Sequence, residues 1–511
     1  MNVKTRSLSF LHIGIVVVLN VNACLFGKDR PNILFIAVDD LRPQILNAKI
    51  PIYNTDLMVT PNLDRLAHAG AVFDRAYCQI PVCGASRLSI LTGTRPYKAK
   101  GKNYGRFWSY HDHLDLKSPS GQPAGMNHPR DKQGRPAPTL PGIFKQNGYN
   151  TQSIGKIYHH PQDDAESWTH GCQRIKDFRV YHIEKEVTAY EIGEGMDDTA
   201  YPDGKNKNKG IKALRNLSQS DKPFFLALGF AKPHLPFNCP KKYWDLYDTN
   251  DIALPDSVLA STKAPRESFH NWGELRGYKQ LVFKESRRMT LDDDYARQLI
   301  HGYYACVSYV DAMIGEVIQE LKRLNIRDNT IIVLWGDHGW NLGEHTLWCK
   351  HCLYDTSLRV PLYLDAPGYK DQMRSQALVE YVDVYPTLCE LAQIPLPDHL
   401  QGTSMVPLLN QPDHPWKGAA YSNWLKGKSV QTDRYRYSEF YSVQDQCVSR
   451  MLYDHRTDPK ETINLSEQGD KKNLVATLSQ LLHDGWQRAA QLDNKTPIPF
   501  TVHPDGHIQM R

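Results

Sequence analysis

Three apolar runs, each breaking off into polar or charged residues, constrain this chain most. Residues 32–38 (Asn-Ile-Leu-Phe-Ile-Ala-Val) lead into Asp39 and Asp40, residues 223–230 lead into Lys232-Pro233-His234, and residues 329–336 lead into Asp337 and His338. A strand apolar at every position has both faces buried, which is the pattern of a parallel sheet covered by helices on each side. In such open sheets ligands bind beyond the carboxyl ends of the strands. Two adjacent acids at that edge repel one another unless a cation lies between them, so a hard metal is their natural partner. Asp39, Asp40, Asp337 and His338 thus bring oxygen and nitrogen donors from two separate strands to one edge. A solvated turn is the weaker reading for acids that end a core strand.

The segments between these runs supply the covering helices. Thr60-Pro61 opens a helix that Gly70 ends, a short strand is expected over 72–77, and a helix from about Ser86 to Gly93 follows. Residues 141–148 read as a further helix and 150–154 as a strand that delivers Lys156 and His159 just past its end. Residues 160–220 are charged and carry no legible period. Over 292–324, Tyr303, Val307, Val310, Ile314, Val317 and Leu321 form one apolar helical face. A strand from Arg359 and a helix from Tyr381 continue the pattern. Beyond about 408 the segments become shorter and alternate, at 418–424, 427–432, 435–441 and 451–453, before a closing helix at 474–492. The expected class is therefore α/β, a large mostly parallel central sheet flanked by helices over 28–408. A smaller C-terminal α+β subdomain, antiparallel sheet plus helix, is expected over 409–511.

Lys4 and Arg6 precede an apolar stretch at 8–21 that is followed by Ala23-Cys24. A basic start, a short apolar core and a small residue before the cut describe an export signal over 1–23. The expected location is periplasmic or secreted, with no transmembrane helix after processing, and Cys24 permits a lipid anchor. Of 511 residues 41% are hydrophobic and 23% charged, with a net charge of +5 and no long basic run, which argues against a nucleic-acid partner. Clustered Lys and Arg can still line a pocket for an anionic sugar. The ten cysteines are scattered and outline no disulfide framework. Cys349-x-x-Cys352 follows a loop rather than opening a helix, which disfavours redox chemistry. Residues 98–138 form a long aperiodic stretch in which Arg106, Trp108, His111 and His113 are either sugar contacts or loop structure.

Cys83 is the sharpest single feature. A cysteine ahead of a helix is either an activated thiolate or a small buried apolar residue. Its neighbours decide: Cys83-Gly84-Ala85-Ser86-Arg87 with Leu91-Thr92-Gly93 resembles the signature of type I sulfatases, whose cysteine is oxidised to formylglycine. Ala85 stands where proline is more usual, which leaves the maturation enzyme open. Residues 38–43, 155–159, 232–237, 337–340 and 342–345 and Trp348-x-Lys350 extend the likeness. Together they resemble the iduronate-2-sulfatase branch, within the alkaline phosphatase superfamily. That resemblance implies Ca²⁺ (or Mg²⁺) held by Asp39, Asp40, Asp337, His338 and modified Cys83. It implies that Arg87 and Lys156 hold the formylglycine hydrate and that Lys350 binds a sulfate oxygen. His234 protonates the departing sugar oxygen and His159 takes the proton that releases sulfate. The implied partners are a formylglycine-generating enzyme and a sulfated oligosaccharide or glycosaminoglycan. The implied reaction removes the 2-O-sulfate of a terminal uronic acid. A phosphatase or phosphonate hydrolase of the same superfamily, and a non-catalytic exported glycan-binding protein, are the rival readings.

Overall fold

The computed structural model describes residues 30–44, 53, 57–96, 136–160, 164–173, 179–184, 186–279, 289–369, 371–490 and 496–511. The export signal, Cys24 and the residues Arg106, Trp108, His111 and His113 lie outside the described residues. No described helix is long and apolar enough to cross a membrane.

An eight-stranded sheet organises the fold. In chain order its strands are β1 (Asn32–Val38), β2 (Ala71–Phe73), β3 (Asn150–Gly155), β4 (Cys172–Gln173), β5 (Phe224–Phe230), β6 (Thr330–Gly336), β7 (Leu362–Asp365) and β8 (Met373–Ser375). Their spatial order is β8-β2-β7-β6-β1-β5-β3-β4. Within it β7 runs antiparallel to both of its neighbours and the other pairings are parallel. Strand β1 is central, flanked by β5 and β6, so the three long apolar runs lie side by side.

Their composition explains that placement. In β1, Ile33, Phe35 and Ala37 join one core while Leu34, Ile36 and Val38 join the other. Burying each large apolar side chain contributes on the order of 2 kcal/mol, so a strand of this kind is stable only where both faces are covered. One face is covered by α1 (Pro61–Ala69), α4 (Pro202–Leu217) and α5 (Asp293–Arg323). On the other face lie α2 (Cys83–Thr92), α3 (Leu140–Gln146) and α6 (Val384–Leu391).

Several boundaries differ from the sequence reading. Helix α2 starts at Cys83 rather than near Ser86, and ends on Gly93 in the left-handed conformation, φ 66°. The strand expected over 72–77 is two short pieces, Ala71–Phe73 and Ala76–Tyr77. Helix α4 lies inside the stretch 160–220 that carried no legible period. Its sequence is dominated by Lys, Asn and Gly, but the glycines have packing reasons. A Cβ on Gly204 would lie 1.7 Å from the Asp198 carbonyl oxygen, and one on Gly210 would press on Leu228 of β5.

Toward the C-terminus, β9 (Ala419–Trp424), β10 (Gly427–Thr432), β11 (Tyr435–Tyr441) and β12 (Cys447–Asp454) form an antiparallel meander. Helix α7 (Lys472–Asp484) packs on it through Leu474, Leu478, Leu481 and Leu482. It is shorter than expected, because Gly485 with φ 77° turns the chain away.

Candidate active site

Four adjacent parallel strands deliver their carboxyl ends to one place. Asp39 and Asp40 follow β1, Asp337 and His338 follow β6, His234 lies four residues past β5, and Lys156 directly follows β3. Cys83 and Arg87 come from the first turns of α2, and Lys350 from the loop after β6.

Arg87, fully buried, is the tie between strands. Its Nη2 donates to Asp39 Oδ1 at 2.8 Å and its Nε to Asp337 Oδ2 at 2.9 Å. Its Nη1 donates to the carbonyl oxygens of Lys156 and Ile157, which fixes the start of the β3 exit loop. Lys156 Nζ pairs with Asp39 Oδ2. Ser86 Oγ donates to the Asp337 carbonyl. Gly155 makes the turn possible: its φ is 76°, and a Cβ there would lie 1.9 Å from the Gly229 carbonyl oxygen.

Asp40 takes the left-handed conformation, φ 60°, a region that aspartate tolerates better than most residues. That geometry turns its amide toward Asp337 Oδ1 at 2.9 Å, while Tyr303 Oη donates to its carbonyl at 2.8 Å. Lys350 Nζ reaches Asp40 Oδ1 and Oδ2 at 2.9 and 3.1 Å. His338 Nδ1 donates to the Gly339 carbonyl at 2.8 Å, which leaves Nε2 as a lone-pair donor. That Nε2 lies 3.3 Å from Asp40 Oδ1, 3.4 Å from Cys83 Sγ and 3.6 Å from Asp337 Oδ1.

The ligand atoms of Asp40, Cys83, Asp337 and His338 all lie within 4.8 Å of one another, as do those of Asp39, Asp40, Cys83 and His234. Burial would push the Asp39 carboxyl up, but Lys156 and Arg87 outweigh it and hold the group well below the usual carboxylate range. Asp40 goes the other way: burial pushes it up, against the pull of His234 and Lys350, and Asp39 alongside adds to the rise. Three carboxylates and an imidazole lone pair gathered at one strand edge suit a hard divalent cation with oxygen preference. Burial also drives the Cys83 thiol well above its ordinary value, despite Lys156 and Lys350. That direction does not favour the thiolate reading of Cys83.

The loop bearing His234 is held from several sides. Asp203 accepts the Ala231 and Lys232 amides at 2.8 and 2.7 Å. The buried Lys232 ammonium donates to the carbonyls of His234 and Pro236. Both proline bonds of the loop are cis. His234 Nδ1 donates to the Leu235 carbonyl at 2.6 Å, which turns Nε2 toward the cluster, 3.8 Å from Asp40 Oδ2. His159 lies three residues past Lys156 and is half-buried. Cys349 and Cys352 are both free and buried, Cys352 Sγ lying 3.0 Å from Ser357 Oγ.

Sequence reasoning passed over Glu274. Its carboxylate bridges His234 Nε2 at 2.9 Å and Lys350 Nζ at 3.1 Å. It sits in an aperiodic loop, and nothing local marks Gly273-Glu274-Leu275 as part of a site. Only the fold brings it there.

Comparison with known proteins agrees with this architecture. The Sulfatase family profile matches residues 31–394, and a profile for the C-terminal part of N-sulphoglucosamine sulphohydrolase matches 343–488. The chain belongs to the sulfatase family, and is a sulfuric ester hydrolase. It is 31% identical over 477 residues to a sulfatase of Formosa agariphila, spanning 89% of this chain and 86% of that one. Against the iduronate 2-sulfatase of Mus musculus it is 31% identical over 426 residues, 73% of this chain and 70% of that one. Among solved structures, a protein in complex with its substrate D-glucosamine-2-N,6-O-disulfate superposes with TM-score 0.66 at 22% identity, over 90% of this chain and 98% of the other. A phosphonate monoester hydrolase from Silicibacter pomeroyi superposes with TM-score 0.68 at 19% identity, over 94% and 99% respectively, so the fold is shared beyond sulfate chemistry.

Proposed function

We propose that this sulfatase is exported and acts from the non-reducing end of a sulfated polysaccharide on the 2-O-sulfate of a uronic acid. The observation that carries a sulfate-ester site is the placement of Cys83 among Asp40, Asp337 and His338, with Arg87, Lys156, Lys350 and His234 around it. The resemblance to iduronate 2-sulfatases supports the choice of sugar. The chain between 28 and 408 is read as the catalytic domain and 409–511 as its companion.

Asp39, Asp40, Asp337 and His338 would hold Ca²⁺, or Mg²⁺ in its place, and the cation would supply polarisation of oxygen at position 83. Cys83, once oxidised to formylglycine, would supply a hydrated carbonyl as the attacking group. The chain's own residues do the rest. Arg87 holds the two metal-side acids in register, and Lys156 adds positive charge at the same wall. Lys350 binds a sulfate oxygen, offsetting the charge that builds on it in the transition state. His234 Nε2, fixed by its Nδ1 bond to Leu235, gives its proton to the departing sugar oxygen. His159 would accept the proton whose removal releases sulfate.

Mass spectrometry of the peptide spanning position 83, with product analysis on defined sulfated oligosaccharides, tests this reading. It expects an aldehyde in place of the thiol and release of the 2-O-sulfate from terminal uronate only. A persistent thiol in active protein overturns the nucleophile, and release from another position overturns the specificity. Paired aryl sulfate and aryl phosphonate esters separate sulfatase action from that of the phosphonate hydrolases sharing the fold.

A further inference from the structure

Lys350 and His234, the two groups read above as facing the sulfate and its leaving oxygen, are already bridged by one side chain. Glu274 Oε1 lies 2.9 Å from His234 Nε2, and Glu274 Oε2 lies 3.1 Å from Lys350 Nζ. His234 Nδ1 is committed to the Leu235 carbonyl, so Nε2 is the nitrogen that an incoming ester must reach. Glu274 Oε1 also accepts from Lys350 Nζ at 3.2 Å, so one carboxylate oxygen lies between the two donors, where an oxygen of a sulfate group would sit. Burial opposes its charge, yet Lys350 and His234 outweigh that and keep Glu274 well below the usual range, an anion.

We propose that Glu274 is an internal competitor for the sulfate slot, one that weakens the hold on any sulfate group there and so speeds release of inorganic sulfate, the product. The proposal rests on the sulfatase reading of the same site. Any anion that engages both Lys350 and His234 exchanges with the Glu274 carboxylate on the same donors. A sugar sulfate offsets that exchange with the contacts of its ring. Inorganic sulfate, the product, has only its oxygens to set against the exchange and leaves sooner.

The exchange needs only rotation of one side chain. The turn is anchored on both sides of Glu274: Trp272 is fully buried with Nε1 donating to the Thr346 carbonyl at 2.8 Å, and Leu275 is buried as well. The Glu274 side chain keeps one-fifth of its surface exposed, so it has a path outward.

The test is Glu274→Gln in the full-length matured enzyme, with inorganic sulfate as competitive inhibitor and as ligand in calorimetry at matched ionic strength. Loss of one charge-assisted competitor should tighten sulfate binding by at least about tenfold and lower KM in the same direction. The constant kcat should not rise in step, because product leaves more slowly. Unchanged sulfate affinity overturns the proposal. So does a fall in kcat with KM and sulfate affinity unchanged, since Glu274 would then orient His234 instead. Glu274→Ala, checked by its unfolding midpoint, should show the same tightening and guards against a folding artefact of the amide. The two readings fail separately: a wild-type enzyme inactive on every sulfate ester sinks the function, whereas tightened sulfate binding in the variant still supports the competitor.

Discussion

The backbone amide of Asp40 donates to the side chain of Asp337 at 2.9 Å, across 297 positions of sequence. This bond joins the ends of two neighbouring strands and depends on Asp40 standing at φ 60°. It orients one acid by means of the other and draws the two carboxyl groups together at the strand ends. Arg87 repeats the tie from the opposite side, reaching Asp39 and Asp337 together. The acids are therefore placed by one another and by Arg87, and the geometry belongs to the chain itself.

Replacing Cys83 with alanine should abolish sulfate-ester turnover while the unfolding midpoint stays within a few degrees of wild type. The side chain is buried and small, and its Sγ makes only weak contacts, 3.9 Å to Asp40 Oδ1 and 3.4 Å to His338 Nε2. Steady-state assay with an aryl sulfate, beside a thermal melt, checks this. Near-normal turnover by the alanine protein would remove Cys83 from the chemistry.

Chelation should destabilise the protein reversibly. Asp39, Asp40 and Asp337 are buried in two ligand groups that share Asp40 and Cys83, and Asp40 is pushed up by burial and by Asp39 beside it. A cation bound only by the folded state adds about 2.7 kcal/mol at a hundredfold excess over its dissociation constant. Dialysis against a chelator should lower the melting temperature, and Ca²⁺ should restore it more fully than Na⁺ at equal ionic strength. Asp40→Asn should blunt that response, and metal analysis of the purified protein should show its content reduced.

Much of the fold was legible because its central strands are apolar on both faces. Ile33 to Val38 feed two cores alternately, a pattern that a half-exposed strand would not carry. Strand ends were legible for the same reason, since Asp39 and Asp337 break continuous apolar runs. Helix α4 was not, because its glycines serve close packing against Asp198 and Leu228 rather than any local preference. The start of α2 was misjudged because Val82, its N-cap, offers no capping side chain, so nothing local marks Cys83 as the first helical residue. Glu274 could not be found at all, since its two partners come from residues 40 positions before it and 76 after.

Gly155→Ala should cost both stability and activity. At φ 76° an alanine is strained by of order 1–3 kcal/mol, and its Cβ would collide with the Gly229 carbonyl. Relief requires moving the strand exit that carries Lys156, whose ammonium pairs with Asp39. The melting temperature should drop by several degrees and kcat/KM should fall more than stability alone explains. Gly148→Ala is the control: its φ is 88° but no atom lies within 4 Å of the added Cβ, so it should lose stability with activity intact.

Arg436 on β11 connects the C-terminal sheet to the body of the enzyme, and its removal should be among the most damaging single changes outside the site. Fully buried, it pairs with Asp355 and, through Nε at 2.8 Å, with Glu461. Arg436→Met breaks both buried pairs, leaving Asp355 to Arg359 at 3.6 Å and Glu461 to His455 at 2.9 Å, and should cost about 3 kcal/mol. The pH dependence gives a sharper check. Burial would raise Asp355, but Arg436, His455 and Arg359 outweigh it and bring the group from its ordinary 3.8 to about 2. A folded-state value below the unfolded one stabilises the protein above pH 3.8, and that stabilisation is lost as pH falls from 3.8 toward 2. At stake is about 2 kcal/mol. In Arg436→Met that slope should flatten, since Asp355 loses the strongest of the cations that hold it ionised while His455 and Arg359 remain. Chemical denaturation at several pH values reads both slopes, and parallel profiles for the two proteins would show that Arg436 does not hold Asp355 ionised.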